Sequence, residues 1–195
     1  RVQKELPDCT VLDGCIYVSA SLEHPGVLVQ HGPILRVVFG PRDPSYISPI
    51  LSAIQSDLCE SGIDGVLSTH IQRDALEKFS YVSPIGASGV SLHAVAGDFQ
   101  KEGPARELFK SMIREISALA AAMGYPFEKD YVKINLEILS NLSADATTSM
   151  QRDIMEGKPS ELDGLVMEPL RLAKKYSVSM PCYEEVANVL CPLEF

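Results

Sequence analysis

Two acids, Glu161 and Asp163, stand close together in the stretch GKPSELDG, residues 157–164. Carboxylates so placed serve one of two ends. They accept hydrogen bonds from the bare N–H groups of a starting helix, or they hold a polar group of a ligand. The local residues favour the first. Ser160 suits the N-cap, Glu161 then takes the first helical position, and Asp163 takes the third, where it completes a capping box. Lys78, within DALEKF, has an equally ordinary local use, because Asp74 precedes it by four residues at ion-pairing helical spacing. Ser149 in TTSM reads locally as a helix-start serine, and Ala20 as a strand alanine. A ligand-directed role for any of them needs support from farther along the chain.

Composition narrows the classes of function. The chain has 195 residues, 46% hydrophobic and 22% charged, which suits a folded protein with a substantial core. Its net charge of −9 repels phosphate backbones, so general nucleic-acid binding is excluded. No apolar run approaches the roughly 18 residues of a membrane span, and no secretory signal opens the chain. The cysteines are Cys9, Cys15, Cys59, Cys182 and Cys191, an odd number without a CxxC pair. They are expected to be reduced, mainly buried thiols in a cytoplasmic protein. His24, His31, His70 and His93 are isolated from one another and from the cysteines, so no metal site is expected.

The pattern along the chain changes near residue 69. Before it, RVQKELPD reads as a helix end, TVLDGCIYVSASL as a strand, and HPG as a turn. VLVQH and ILRVVFG read as two short strands separated by Gly32-Pro33. Asp43-Pro44 opens a helix carrying Ile47, Ile50, Leu51, Ile54 and Leu58 on one face, Gly62 ends it, and residues 65–67 form a last strand. Beyond residue 69 every segment reads as helical. IQRDALEKFSYVSPIGASG begins as a helix and runs into Pro84 and Gly86. PARELFKSMIREISALAAAMG is an amphipathic helix, residues 128–142 form another, and TTSMQRDIMEG a short one. In SELDGLVMEPLRLAKKYS, Pro169 kinks the helix because the bond to the Leu165 carbonyl is lost. PCYEEVANVL closes the chain as a helix. A sheet of three or four strands with one helix leaves a face and an edge uncovered, so the first part is expected to be the end of a larger domain.

Three segments, in this order and spacing, resemble the ketopantoate reductases. They are GCIYVSASLEHPGVLVQHG (residues 14–32), DALEKF (74–79) and SMQRDIMEGKPSELDGLVMEPLRLAKKYSVSMP (149–181). The resemblance implies an α/β remnant of a Rossmann domain over residues 1–69, then an all-α domain over residues 70–195 of the 6-phosphogluconate dehydrogenase C-terminal type. It implies NADPH-dependent reduction of 2-dehydropantoate to pantoate. Lys78 would be the proton donor to the ketone oxygen, and Glu161 would orient substrate and cofactor ribose. Ser149 would hold the substrate carboxylate, and the backbone at Ala20 would meet the nicotinamide of NADP. A homodimer through the helical domain is a further expectation. The family's GxGxxG loop is absent, and GASGVS (86–91) lacks its spacing and βαβ context. The segment by itself is therefore expected to bind NADPH poorly and to be inactive.

The chain departs from the family where the substrate is chosen. Three asparagine positions that bind substrate polar groups are Val82, Gly86 and Ala96 here. Two alternatives stand beside 2-dehydropantoate reduction. One is a reductase of a different ketone with a remodelled pocket. The other is a helical dimerisation or binding module without chemistry.

Overall fold

The computed structural model describes residues 2–7 and 9–190, which form two compact units, Arg1–Ala75 and Leu76–Phe195. Cys191 lies outside the described residues.

The first unit opens with a one-turn helix, α1 (Val2–Glu5), and two long strands, β1 (Asp13–His24) and β2 (Val27–Gly40). A 3₁₀ turn (Pro44–Tyr46) leads to α2 (Pro49–Glu60) and a short strand, β3 (Asp64–Leu67). The sheet order is β1-β2-β3, antiparallel between the first pair and parallel between the second. VLVQH and ILRVVFG are one strand, not two. Gly32-Pro33 is absorbed in a bulge: Val18 pairs with Leu35 and Ala20 with Gln30, so the extra residues leave the ladder without ending the strand.

The expected apolar face of the next helix is also divided. Asp43 spends its carboxylate on Ser45 N at 2.9 Å, which winds residues 44–46 into the separate 3₁₀ turn. The helix proper starts at Pro49, and the shifted phase buries Leu51 but leaves Ile50 67% exposed. Gly62 does end it, at φ 81°, and β3 forms where expected. Alternation along β1 turns Cys15 inward, with Val38 and Ile71, while Ile16 and Val18 stay exposed on the other face.

The elements described in the second unit are helices. The unit boundary falls inside α3 (Ile71–Leu92), and α4 (Ala96–Gln100), α5 (Pro104–Ala122), α6 (Tyr131–Ser140) and α7 (Ser149–Met155) follow. A π-helical turn (Asp163–Met167) then runs into α8 (Glu168–Tyr176), and α9 is Pro181–Leu190. No helix among the described residues is long and apolar enough to cross a membrane.

α5 organises the packing because its apolar stripe is wide enough to serve two cores. Met112, Ile116 and Leu119 join Tyr183, Val186 and Val166, whereas Phe109 and Ile113 join Phe99, Ile85 and Leu139. Burying each such side chain contributes about 1.5–3 kcal/mol. Glu115, on the same helix, accepts Cys182 N at 2.8 Å and Tyr183 N at 3.1 Å and so caps α9.

α3 does not stop at Pro84; it continues to Leu92. The proline removes the N–H that would serve the Ser80 carbonyl. Asn135 Nδ2, from α6, serves it instead at 3.0 Å and also donates to Ser80 Oγ at 3.1 Å. GASGVS therefore lies within a helix. The thiols also depart from expectation: Cys15 is buried and Cys182 half-buried, but Cys9 and Cys59 are exposed.

Candidate active site

α3 presents Lys78, Val82, Gly86 and Gly89 along one face, at helical spacings of four, four and three residues. Lys78 and Val82 are half-buried, and both glycines are buried. The glycines exist for close approach. A Cβ on Gly86 would stand 3.1 Å from Met150 Cε and 3.9 Å from both Leu165 Cδ1 and Thr148 Oγ1. A Cβ on Gly89 would stand 2.8 Å from Gln151 Cδ. So the start of α7 and the π turn both close on α3, about 12 Å along the axis from Lys78 at 1.5 Å per residue.

Ser83 fastens this meeting. Its hydroxyl donates to the Leu165 carbonyl at 2.5 Å. That carbonyl is the one Pro169 leaves without a helical donor. A serine hydroxyl has a single proton, so the Tyr183 hydroxyl must donate to Ser83 Oγ in turn. Burial raises the Tyr183 phenol far above its ordinary value, which keeps it protonated as that donor.

The individual residues stand as follows. Glu161 is exposed, two residues before the start of the π turn, and its carbonyl accepts Leu165 N at 2.8 Å. Its carboxylate makes no hydrogen bond or ion pair among the described residues. The capping box proposed for this stretch is not formed. No side chain caps the turn, and Asp163 instead takes a two-pronged bond from Arg171, at 2.9 and 2.8 Å. The guanidinium holds the Asp163 carboxyl below the usual carboxylate range. Arg171 outcompetes the bare N–H groups because a charged fork offers two bonds at once.

Ser149 is the first residue of α7, not its cap, and is exposed; Thr148 caps the helix with Gln151 in a reciprocal box. Asp74 accepts a bond from the Ser68 hydroxyl. In the first unit, Ala20 is exposed on β1 beside the bulge. Ala96 is buried at the start of α4, its N–H donating to Ala146 O at 3.0 Å.

The second unit thus brings together the elements carrying Lys78, Ser149 and Glu161. What sequence reasoning missed is Ser83, Gly89 and Gln151, which join them, and Asn135, which ties α6 to α3. A signal existed for two of them. A proline inside a helical run frees a carbonyl, and a buried free carbonyl requires a donor from elsewhere.

Residues 70–194 match the ketopantoate reductase PanE/ApbA C-terminal family. The chain belongs to the ketopantoate reductase family. An uncharacterised oxidoreductase of Bacillus subtilis, YkpB, is 22% identical over 176 residues, 90% of this chain and 58% of that protein. The 2-dehydropantoate 2-reductase of Methylococcus capsulatus superposes with a TM-score of 0.84 at 23% identity, over 99% of this chain and 61% of that one. A D-mandelate dehydrogenase solved with NADH and anilino(oxo)acetate superposes with a TM-score of 0.82 at 18% identity, over 97% of this chain and 62% of that one. The chain spans less than two thirds of the length of each of these three relatives.

The residues described do not fit a dinucleotide pyrophosphate. The first unit has one βαβ unit, β2–α2–β3, and the loop entering its helix, residues 41–48, contains no glycine. Asp43 already occupies the N–H of Ser45 there, where a phosphate needs bare donors.

Proposed function

We propose that the protein reduces a 2-oxo acid to the 2-hydroxy acid, as a nicotinamide-dependent oxidoreductase of the ketopantoate reductase family, with residues 1–69 as the closing part of a Rossmann domain. The reaction adds a hydride to the ketone carbon and a proton to its oxygen. Lys78 polarises that oxygen and supplies the proton, then regains one from water. Glu161 accepts a hydrogen bond from the nascent hydroxyl and would accept one from the ribose of a bound nicotinamide cofactor. Ser149 donates to the substrate carboxylate, and the backbone at Ala20 would hold the nicotinamide, which would supply the hydride. NADPH is the reductant proposed.

The supporting observation is the fastening of the π turn and α7 onto the Lys78 face of α3, through Ser83–Leu165 and the two glycine contacts. It fixes the backbones next to Ser149 and Glu161 against α3, two turns along that helix from Lys78, and this supports a reading in which the three residues share a site.

The test is an assay of the full-length protein with NADPH or NADH and a panel of 2-oxo acids, starting with 2-dehydropantoate. Lys78→Ala should lower kcat about 10²–10⁴-fold with the fold intact by circular dichroism. No turnover with any member of the panel, or turnover indifferent to Lys78→Ala, overturns the reading. The rival, a helical dimerisation or binding module, draws support from the apolar residues at Val82, Gly86 and Ala96. It expects no turnover.

A further inference from the structure

We infer that Gln151 and Ser83 are positioning residues with divided duties. Gln151 sets how tightly Ser149 holds the substrate carboxylate, and Ser83 sets how well Glu161 serves the reduction step. The inference rests on the reductase reading above.

Gln151 is 8% exposed, and its amide is bonded at both ends. Nε2 donates at 2.7 Å to the carbonyl of Ala94, just beyond the end of α3. Oε1 accepts the Thr148 N–H at 2.9 Å and the Thr148 hydroxyl at 3.1 Å. A carbonyl only accepts and an N–H only donates, so the amide has a single orientation open to it. Gly89 closes another side, since a Cβ there would stand 2.8 Å from Gln151 Cδ and 2.9 Å from its amide nitrogen and oxygen. The residue held in this way, Thr148, directly precedes Ser149, which is itself exposed and so stands where the backbone puts it.

A separate set of bonds holds Glu161. The Tyr183 hydroxyl donates to Ser83 Oγ at 2.5 Å, and Ser83 donates to the Leu165 carbonyl at 2.5 Å. The Leu165 N–H then closes on the Glu161 carbonyl at 2.8 Å. Ser83 and Tyr183 are wholly buried. These bonds have no residue in common with those of Gln151, so each set can be cut without cutting the other.

The two anchored residues serve the substrate at different moments. Its carboxylate is present before and during hydride transfer, so a bond from Ser149 is equally strong in both states and is read in KM. The hydroxyl forms only as hydride and proton arrive, so a bond to Glu161 is made in the transition state and is read in kcat.

The test measures kcat and KM of the full-length protein at saturating NADPH or NADH. The substrates are the 2-oxo acid of the panel that turns over fastest and its primary amide. Gln151→Met keeps the side-chain length and removes both bonds of the amide. It should raise KM for the acid about tenfold and hold kcat within about twofold. The preference for acid over amide in kcat/KM should shrink by a similar factor, and that ratio is independent of the fraction of enzyme that is active. Gln151→Ala, which relieves the crowding at Gly89, is the second variant where Gln151→Met does not fold. Ser83→Ala should lower kcat about tenfold and leave both KM and the acid-over-amide ratio unchanged. Tyr183→Phe spares the Ser83–Leu165 bond and should lower kcat less. Folded variants that lower kcat and raise KM together overturn the inference and leave the reductase reading standing. So does an acid-over-amide ratio unmoved by loss of the Gln151 amide, or a wild type that reduces acid and amide alike. Failure of the wild type to reduce any 2-oxo acid overturns both.

Discussion

At Pro84 the chain stays in a regular helix; at Pro169 it opens into a π turn. Each proline withdraws one N–H, and each freed carbonyl finds a side-chain donor on a different helix. The Ser80 carbonyl takes the Asn135 amide at 3.0 Å, and the Leu165 carbonyl takes the Ser83 hydroxyl at 2.5 Å. The donors differ in what they secure. Asn135 serves a wholly buried serine and stitches α6 to α3 inside the core. Ser83 serves a half-buried turn and fixes the backbone that leads out of Glu161. The first repair maintains the fold, and the second positions the candidate site.

Substitutions at the two repairs should separate these roles. Asn135→Leu has the largest expected effect on stability. It leaves both the carbonyl and the hydroxyl of Ser80 short of a donor, at about 1–3 kcal/mol, read as a lower urea midpoint. An unchanged midpoint would mean that Asn135 is dispensable and that Pro84 needs no repair. Ser83→Ala should cost less, about 1 kcal/mol, but should speed amide hydrogen exchange selectively at residues 165–168. Uniform acceleration across the unit would erase the distinction between the two prolines. Tyr183→Phe removes the donor to Ser83 and should cost about 0.5–1.5 kcal/mol. Combined with Ser83→Ala it should fall short of additivity, because the two hydroxyls form one chain. Pro84→Ala should stay within about 1 kcal/mol of neutral, since the N–H it restores competes with a donor already present while the unfolded chain gains freedom.

A chemical probe sharpens the Pro169 side without perturbing stability. Burial, followed by the Glu115 carboxylate, pushes the Cys182 thiol up to about 11. Its alkylation should therefore be negligible at neutral pH and rise only as the pH approaches that value. If Ser83→Ala loosens α9, the onset at Cys182 should move down, as mass spectrometry of the labelled peptides would show.

Much of this architecture could be read from residue order. The stripe of α5, the helix stop at Gly62 and the short strand β3 all follow from periodicity and local turn chemistry. The continuation of α3 through Pro84 could not be read locally, because the compensating amide lies 55 residues beyond Ser80. Gly32-Pro33 reads as a break, yet the sheet tolerates it because β1 can pair on either side of a bulge. At the candidate site, family resemblance picked out Lys78, Glu161 and Ser149, while local chemistry misassigned Asp163. A capping box is a contact across three residues; its actual partner, Arg171, is eight residues away and carries a charge. Gly86 reads as a lost polar contact, and only the packing of Met150 shows it also as a space already taken.

The tightest approach among these helices constrains how the protein can vary. Gln151 lies against Gly89 and also holds the Ala94 carbonyl at 2.7 Å, so neither residue is free to change by itself. A mutant library randomised at residue 89 alone should return glycine. Randomising 89 and 151 together should return compensated pairs, a larger residue on α3 matched by a shorter one on α7. Evolution of the region around the candidate site would then advance in coupled steps.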